Sequence, residues 1–337
     1  VGINIGPLAK CGRYRAFVRA VVCRELGTPD VLAVEERADP APGPGCVLVA
    51  VEAAGVNFVD ALFVAGRYQI RPPLPFTPGS EVAGTVAAVG VGVEGYSPGD
   101  RVLASVGLGG FASAVVASAS QLSRLPESLG AATAATFSQS YATALFALRQ
   151  RARVRPGDRI LVLGAGSGVG LASVDVGRWL GAEVVAAASS EAKRSAALAA
   201  GALLAVDAPS EVANLRELTG WVDVVIDPVG GDRSALALRT LRECGRHVVI
   251  GFASGEIPAL PANQILLRNR EVIGVDWGAW AMAHPVEQDA MIRELLTAAG
   301  AGDLRPVAPT TYPLESVAAA LEDLLGRRVT GKAALLP

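Results

Sequence analysis

Histidine is almost absent from this chain: His247 and His284 are the two in 337 residues. The four cysteines, at positions 11, 23, 46 and 244, stand apart from one another. A zinc centre draws three or four ligands from His, Cys and carboxylates, and its cysteines and histidines are usually closely spaced. Neither a catalytic nor a structural site can be assembled from this supply, so no metal is expected. The same spacing offers no disulfide framework. The cysteines read as free thiols of a reducing compartment, and the expected location is cytoplasmic.

Charge of one sign is also lacking. Thirty basic residues against 32 acidic ones leave a net charge of −2 and a pI near 5.9. Binding to nucleic acid through bulk electrostatics is therefore not expected. The local run Arg149-Gln150-Arg151-Ala152-Arg153-Val154-Arg155 reads as a solvated connector rather than a docking patch. No continuous apolar core marks a signal peptide in positions 1–20, which carry Lys10, Arg13, Arg15 and Arg19 and no acid. Residues 1–19 read as an extension ahead of a domain that starts near Ala20. Residues 129–148 lack charge over a membrane-length stretch. Thr133, Thr136, Ser138, Gln139, Ser140 and Thr143 interrupt it, so a buried helix is expected and no membrane partner.

What the chain has in quantity is apolar residues, 51%, with a mean hydropathy of +0.40. Its length exceeds one ordinary core and predicts two domains. The most informative stretch is 158–190. An apolar run, Ile160-Leu161-Val162-Leu163, turns through Gly164-Ala165-Gly166-Ser167-Gly168-Val169-Gly170 into an alanine-rich segment, and a second apolar run covers 184–188. Strand, glycine turn, helix and strand in roughly 30 residues make one βαβ unit. Glycines let the backbone approach a pyrophosphate closely, and the following helix offers free N–H groups and a positive dipole end. The match to Gly-x-Gly-x-x-Gly is one residue out of step, because Val169 stands where the last glycine belongs. A tight turn without a ligand is the alternative; the flanking elements favour a nucleotide.

The tip of the second strand selects the nucleotide. An NAD site places an acid there for the ribose 2′-hydroxyl. This chain has Ser189 and Ser190, then Glu191, Lys193 and Arg194. Hydroxyls followed by two cations suit a 2′-phosphate, so the expected cofactor is NADPH. The alternative is that Lys193 and Arg194 simply decorate a solvated helical turn.

From Ala20 to about Arg124, short apolar runs divided by glycine and proline predict a β-rich, barrel-like domain. Within it, 57–63 has helical spacing, with Asn57 as a plausible N-cap. A proline-rich loop follows at 71–75. Beyond Ala131 the pattern alternates: helices over 191–200, 210–219 and 235–241, strands over 203–206, 222–226 and 246–251. Such alternation means a parallel sheet covered on both faces. Ligands sit beyond the carboxyl ends of these strands, which puts Val229, Gly230, Gly251, Phe252 and Ser254 along a cofactor cleft. The tail, with a helix over 287–299, a strand near Val307, a helix over 314–325 and a closing strand over 331–337, is expected to return to the first domain. Nucleophilic catalysis has no signal, since Gly166-Ser167-Gly168 is not Gly-x-Ser-x-Gly.

The segments "AAGVNFVDALFVAGRY" (53–68), "PFTPGSEVAGTVAAVG" (75–90), "GDRVLA" (99–104), "VVIGFASGEIP" (248–258) and "GKAALLP" (331–337) accompany the glycine turn in order. Together they resemble the zinc-independent NADPH:quinone oxidoreductases, the zeta-crystallin type, of the medium-chain dehydrogenase/reductase superfamily. The resemblance spans about residues 20–337. It implies an α/β protein: a GroES-like β-barrel domain (20–140, completed by 284–337) and a Rossmann doubly wound parallel-sheet domain (141–283), with the active cleft between them. In zinc-dependent relatives a metal-binding Cys stands where Asn57 stands, and a metal-binding His where Ser80 stands. The resemblance implies that Asn57, Asp60 and Tyr68 face the nicotinamide and substrate. It also implies that Tyr141 and Thr143 lie beside the cofactor, that Ser167, Gly168, Val169, Ser189 and Lys193 contact its phosphates, and that Phe252, Ser254 and Arg327 add contacts. Ala208 stands where the family often has a tyrosine near the adenine, and Leu62 where some members carry one. The expected reaction is hydride transfer to a quinone or similar conjugated acceptor. The alternatives are an alkene reductase acting on enals, enones or enoyl thioesters, and a non-catalytic NADPH-binding crystallin-like or RNA-binding protein. Family habit implies a homodimer or homotetramer.

Overall fold

The computed structural model describes residues 17–207 and 215–337. Two sheets organise them. The first is parallel and six-stranded, in the order Leu204–Val206, Glu183–Ala187, Arg159–Leu163, Val222–Asp227, Leu241–Val249, Glu271–Gly274. Read in chain order this is 3-2-1-4-5-6, the doubly wound dinucleotide-binding arrangement. The apolar run at 160–163 is unbroken because both faces are covered. Ile160 and Val162 enter one core cluster with the helix Gly168–Trp179, while Leu161 and Leu163 enter another with Leu238 and Leu241. Each such burial is worth about 1.5–3 kcal/mol.

The second sheet is mainly antiparallel, in the order Thr310–Pro313, Ala333–Leu336, Cys46–Val56, Glu81–Val89, Arg101–Ser105, Leu122–Arg124. Its long central strand, Cys46–Val56, pairs Ala114–Ser118 over its first half and Ala333–Leu336 over its last residues. Register shifts between Leu48 and Val49 and between Val51 and Ala53 lie along its pairing with Glu81–Val89. Extra residues of this kind bend a strand and raise its twist, which lets one strand serve two partners along the same edge. A hairpin, Phe17–Cys23 with Leu32–Ala38, joins through Val21 and Cys23, whose N–H groups bond Phe111 O and Phe76 O at 2.8 Å each.

Helix Ser138–Leu145 spans the seam between the sheets. Ser138 reaches Glu81 on one side and Tyr141 reaches Asp175 on the other. Expected elements are found with several shifts. The helix expected over 235–241 lies at Asp232–Leu238, and Leu241 already opens the next strand. The strand expected near Val307 is Thr310–Pro313, placed by pairing with Ala333–Leu336. The arginine run is not a free connector: it closes a helical segment, and Arg149 forks onto Glu294 at 2.6 and 2.7 Å while Arg153 meets Glu271. Among the described residues no helix is long and apolar enough to cross a membrane. Most of the expected extension, the expected start of the helix over 210–219 and Ala208 lie outside the described residues.

Candidate active site

The start of helix Phe58–Val64 lies in a buried polar group made by Asn57, Asp60 and Glu81, the last at the start of strand Glu81–Val89. The Asp60 carboxylate accepts from the Asn57 backbone N–H at 2.8 Å and the Gly79 N–H at 3.2 Å. Burial pushes Asp60 up from its ordinary value to about 7, against the pull of those donors and of the Lys332 charge. Asn57 is the N-cap of this helix, as expected, and Asp60 reaches back to its backbone N–H in a capping box. Asn57 Nδ2 donates to Glu81 Oε1 at 3.0 Å and lies 3.4 Å from Ser80 Oγ, and its Oδ1 accepts from Lys332 Nζ. Glu81, almost wholly buried, also accepts from Ser138 Oγ at 2.6 Å and the Gln139 N–H at 3.0 Å, and Lys332 Nζ stands 3.4 Å away.

Asn57 and Asp60 are thus brought together, and Tyr68 follows the C-terminal end of the same helix. Its ring packs edge-on against Phe63, with centroids 4.9 Å apart, in a small apolar cluster with Val64 and Phe76. Lys332, Glu81 and Ser138 were not singled out from the sequence. Lys332 lies 275 residues from Asn57, so no local pattern could have coupled them.

The glycine turn folds as its composition requires. Gly164 has φ +57, and a Cβ on Gly170 would lie 2.3 Å from the Gly164 carbonyl oxygen. Ser167 caps helix Gly168–Trp179 by accepting from the Gly170 N–H at 3.2 Å. Val169 follows in the first turn, where N–H groups have no partner within the helix. Two lysine stems flank the turn: a Cβ on Gly166 would meet Lys193, and one on Gly168 would meet Lys332. A glycine-rich turn, a helix start and the Lys193 cation fit the phosphates of a dinucleotide.

At the tip of Glu183–Ala187, Ser189 is exposed and Ser190 caps the next helix. Lys193 Nζ donates to Arg327 O at 2.7 Å; burial and the Arg327 charge hold this lysine below its usual value. Arg194 lies 3.3 Å from Asp207 and also donates to Ala188 O. Opposite, Asp227 ends its strand and accepts from the Val229 and Gly230 N–H groups at 2.9 Å each. Its other oxygen accepts from Ser234 and lies 3.1 Å from His247 Nε2. Burial alone would raise Asp227, but these donors hold it below the usual carboxylate range. Val229 packs toward Gly164, and the Gly251 loop is stitched on by Ala253 and Ser254, whose N–H groups bond Pro228 O and Val229 O. Arg327 Nη2 donates to Ala253 O at 2.8 Å. Phe252 is part of the lining of an open, largely apolar cavity of about 540 Å³ at the ends of Leu241–Val249 and Glu271–Gly274, with Ile250 and Val275.

Tyr141 and Thr143 each donate a hydrogen bond within the protein. The Tyr141 hydroxyl donates to the buried Asp175 at 2.9 Å, and burial followed by Asp175 raises its pKa well above normal. Thr143 Oγ1 donates back to Gln139 O at 2.7 Å. The Tyr141 ring still borders the small cavity shared with Gly168 and Lys332. Among the described residues no group of three or more His, Cys, Asp or Glu is placed to hold a metal ion.

A doubly wound sheet with a glycine turn, closed against a mainly antiparallel sheet, defines a dinucleotide-dependent dehydrogenase. Comparisons with known proteins agree. An alcohol dehydrogenase GroES-like domain matches residues 43–127 and a zinc-binding dehydrogenase domain matches residues 168–295. The chain is 38% identical over 330 residues to quinone oxidoreductase-like protein 2 of Bos taurus, covering 96% of this chain and 93% of that protein. It is 34% identical to the quinone oxidoreductase of Mus musculus, covering 95% and 98%. The Escherichia coli quinone oxidoreductase solved in complex with NADPH is 27% identical, covers 95% and 100%, and superposes with a TM-score of 0.84. The chain belongs to the quinone oxidoreductase family of the medium-chain dehydrogenase/reductases.

Proposed function

We propose that this chain is an NADPH-dependent oxidoreductase that passes hydride to a quinone or similar conjugated acceptor without zinc. The observation that carries the reading is the glycine turn with Lys193 beside it, and serines with no acid at the next strand tip. Bound NADPH supplies a hydride from its nicotinamide ring. The chain's own residues do the rest. The turn from Ser167 to Val169 holds the diphosphate, while Ser189, Lys193 and Arg194 hold the 2′-phosphate. Val229, Gly230, Gly251, Phe252, Ser254 and Arg327 wall the cofactor and exclude water. Asn57 Nδ2 donates to the acceptor oxygen as charge builds there, and Tyr68 or solvent supplies the proton. Asp60 fixes the backbone from which Asn57 projects.

Residues 20–140 with 284–337 form the acceptor-side unit of this reading and 141–283 the cofactor unit. The protein is a cytoplasmic homodimer or homotetramer. Support comes from Glu271–Gly274 standing last in its sheet among the described residues, from the exposed apolar side chains of Ile257, Leu266, Leu267 and Met282, and from three free thiols among the described residues. A fluorescence titration with NADPH, followed by turnover of a quinone and an enone at matched concentration, tests the reading. Binding with faster quinone turnover supports it. Faster enone turnover would make it an alkene reductase, and binding with neither would leave a non-catalytic NADPH protein.

A further inference from the structure

We propose that Lys332 is the positioning residue that fixes the Asn57 side-chain amide in its hydrogen-donating orientation. This inference rests on the reading of Asn57 as the donor to the acceptor oxygen. The Asn57 amide lies between opposite charges. Its oxygen accepts from the Lys332 ammonium, and its nitrogen donates to the Glu81 carboxylate at 3.0 Å. Turning the amide over would set its NH₂ against an ammonium and its oxygen against a carboxylate, so both contacts would become repulsive. An amide otherwise has two similar orientations, with donor and acceptor ends exchanged. Here the charges select one of them.

The supports are themselves held. Glu81 accepts from Ser138 and from the Gln139 N–H as well. Lys332 lies on a segment tied across the two units: the Gly331 N–H bonds Gly166 O at 2.8 Å, and the lysine stem lies against Gly168. With one Nδ2 hydrogen on Glu81, the second points to Ser80 Oγ at 3.4 Å, a long contact that a nearer acceptor can replace. Lys332 therefore couples the glycine turn to Asn57, and its ammonium lies between Asn57 and Glu81.

The test is a double-mutant cycle. Lys332→Met keeps an unbranched stem and removes the charge; Asn57→Ala removes the amide. NADPH affinity is read by fluorescence and turnover by quinone reduction, with thermal melts as the folding check. Lys332→Met should lower kcat about 100-fold, the loss typical of a displaced transition-state donor. NADPH affinity should stay within about threefold, because the turn N–H groups and Lys193 remain. In the Asn57→Ala background the lysine change should cost nothing further, because residues that act as one unit are not additive. Multiplicative losses in the double variant would overturn the inference, as would a tenfold loss of NADPH affinity with kcat retained, which would make Lys332 a phosphate ligand alone. If Lys332→Met does not fold, Lys332→Gln is read by the same criteria. A wild-type protein that binds NADPH and reduces no acceptor would refute the functional reading, and this inference with it.

Discussion

The Lys193 ammonium donates a 2.7 Å hydrogen bond to the carbonyl oxygen of Arg327, 134 residues further along the chain. Arg327 in turn reaches Ala253 O, so the first turn of one helix, the loop after the fifth parallel strand and the C-terminal segment meet at one point. Lys193→Ala removes a cation suited to a 2′-phosphate. A hydrogen bond to a charged group is worth about 1.5–3 kcal/mol, so the NADPH dissociation constant should rise about 10- to 100-fold. NADH binding should change little. Adding Arg194→Ala should widen the gap. Parallel fluorescence titrations with both nucleotides check this; equal weakening of the two would remove the case for a 2′-phosphate site.

Tyr141 gives the opposite expectation. Its hydroxyl is engaged with Asp175, which keeps the Arg305 N–H at 2.6 Å and Arg178 at 2.7 Å. Tyr141→Phe deletes one donor and leaves no orphaned partner, so it should lower stability by about 1 kcal/mol. Thermal melting reads that loss. NADPH affinity should be unchanged, and a tenfold loss would return the hydroxyl to the cofactor.

The glycine turn separates two superficially equal substitutions. On Gly170 a methyl group would meet backbone, the Gly164 carbonyl; on Gly168 it would meet the flexible Lys332 side chain. Gly170→Ala should destabilise by about 1–3 kcal/mol through overpacking and abolish tight NADPH binding. Gly168→Ala should fold near normally. Melting temperatures and NADPH titrations of the two variants check the ranking.

Asp60 makes stability depend on pH. Its carboxyl holds a proton to about 7 in the folded state and ordinarily only to 3.8. Between those values the folded state binds the extra proton, so stability falls as pH rises through the window and levels off above it. Asp60→Asn should remove that slope. Denaturation across the window, wild type against variant, decides; parallel curves would assign the slope to other groups.

Much of this architecture was legible because strand burial writes itself into sequence. The unbroken 160–163 run announced a strand covered on both faces, and glycine turn, helix and second strand followed as expected. Boundaries failed where apolar residues serve either state. Leu241 continues a helical pattern, yet it opens a strand that is bent where Cys244 adopts φ +56. Thr310–Pro313 becomes a strand only through a parallel partner some 20 residues later. Within the site, Asn57 and Asp60 were visible as a helix start. Their electrostatic setting was not, because Glu81, Ser138 and Lys332 arrive from three distant segments and carry no local pattern. Tyr68 was visible from its place in a motif, and its ring packing on Phe63 was not.

The most direct measurement is NADPH oxidation by a quinone, catalysed by protein freed of metal by a chelator, with elemental analysis of the same sample. The account predicts saturable NADPH uptake and full turnover with zinc far below one per chain. No NADPH uptake, or turnover that tracks stoichiometric zinc, would contradict it.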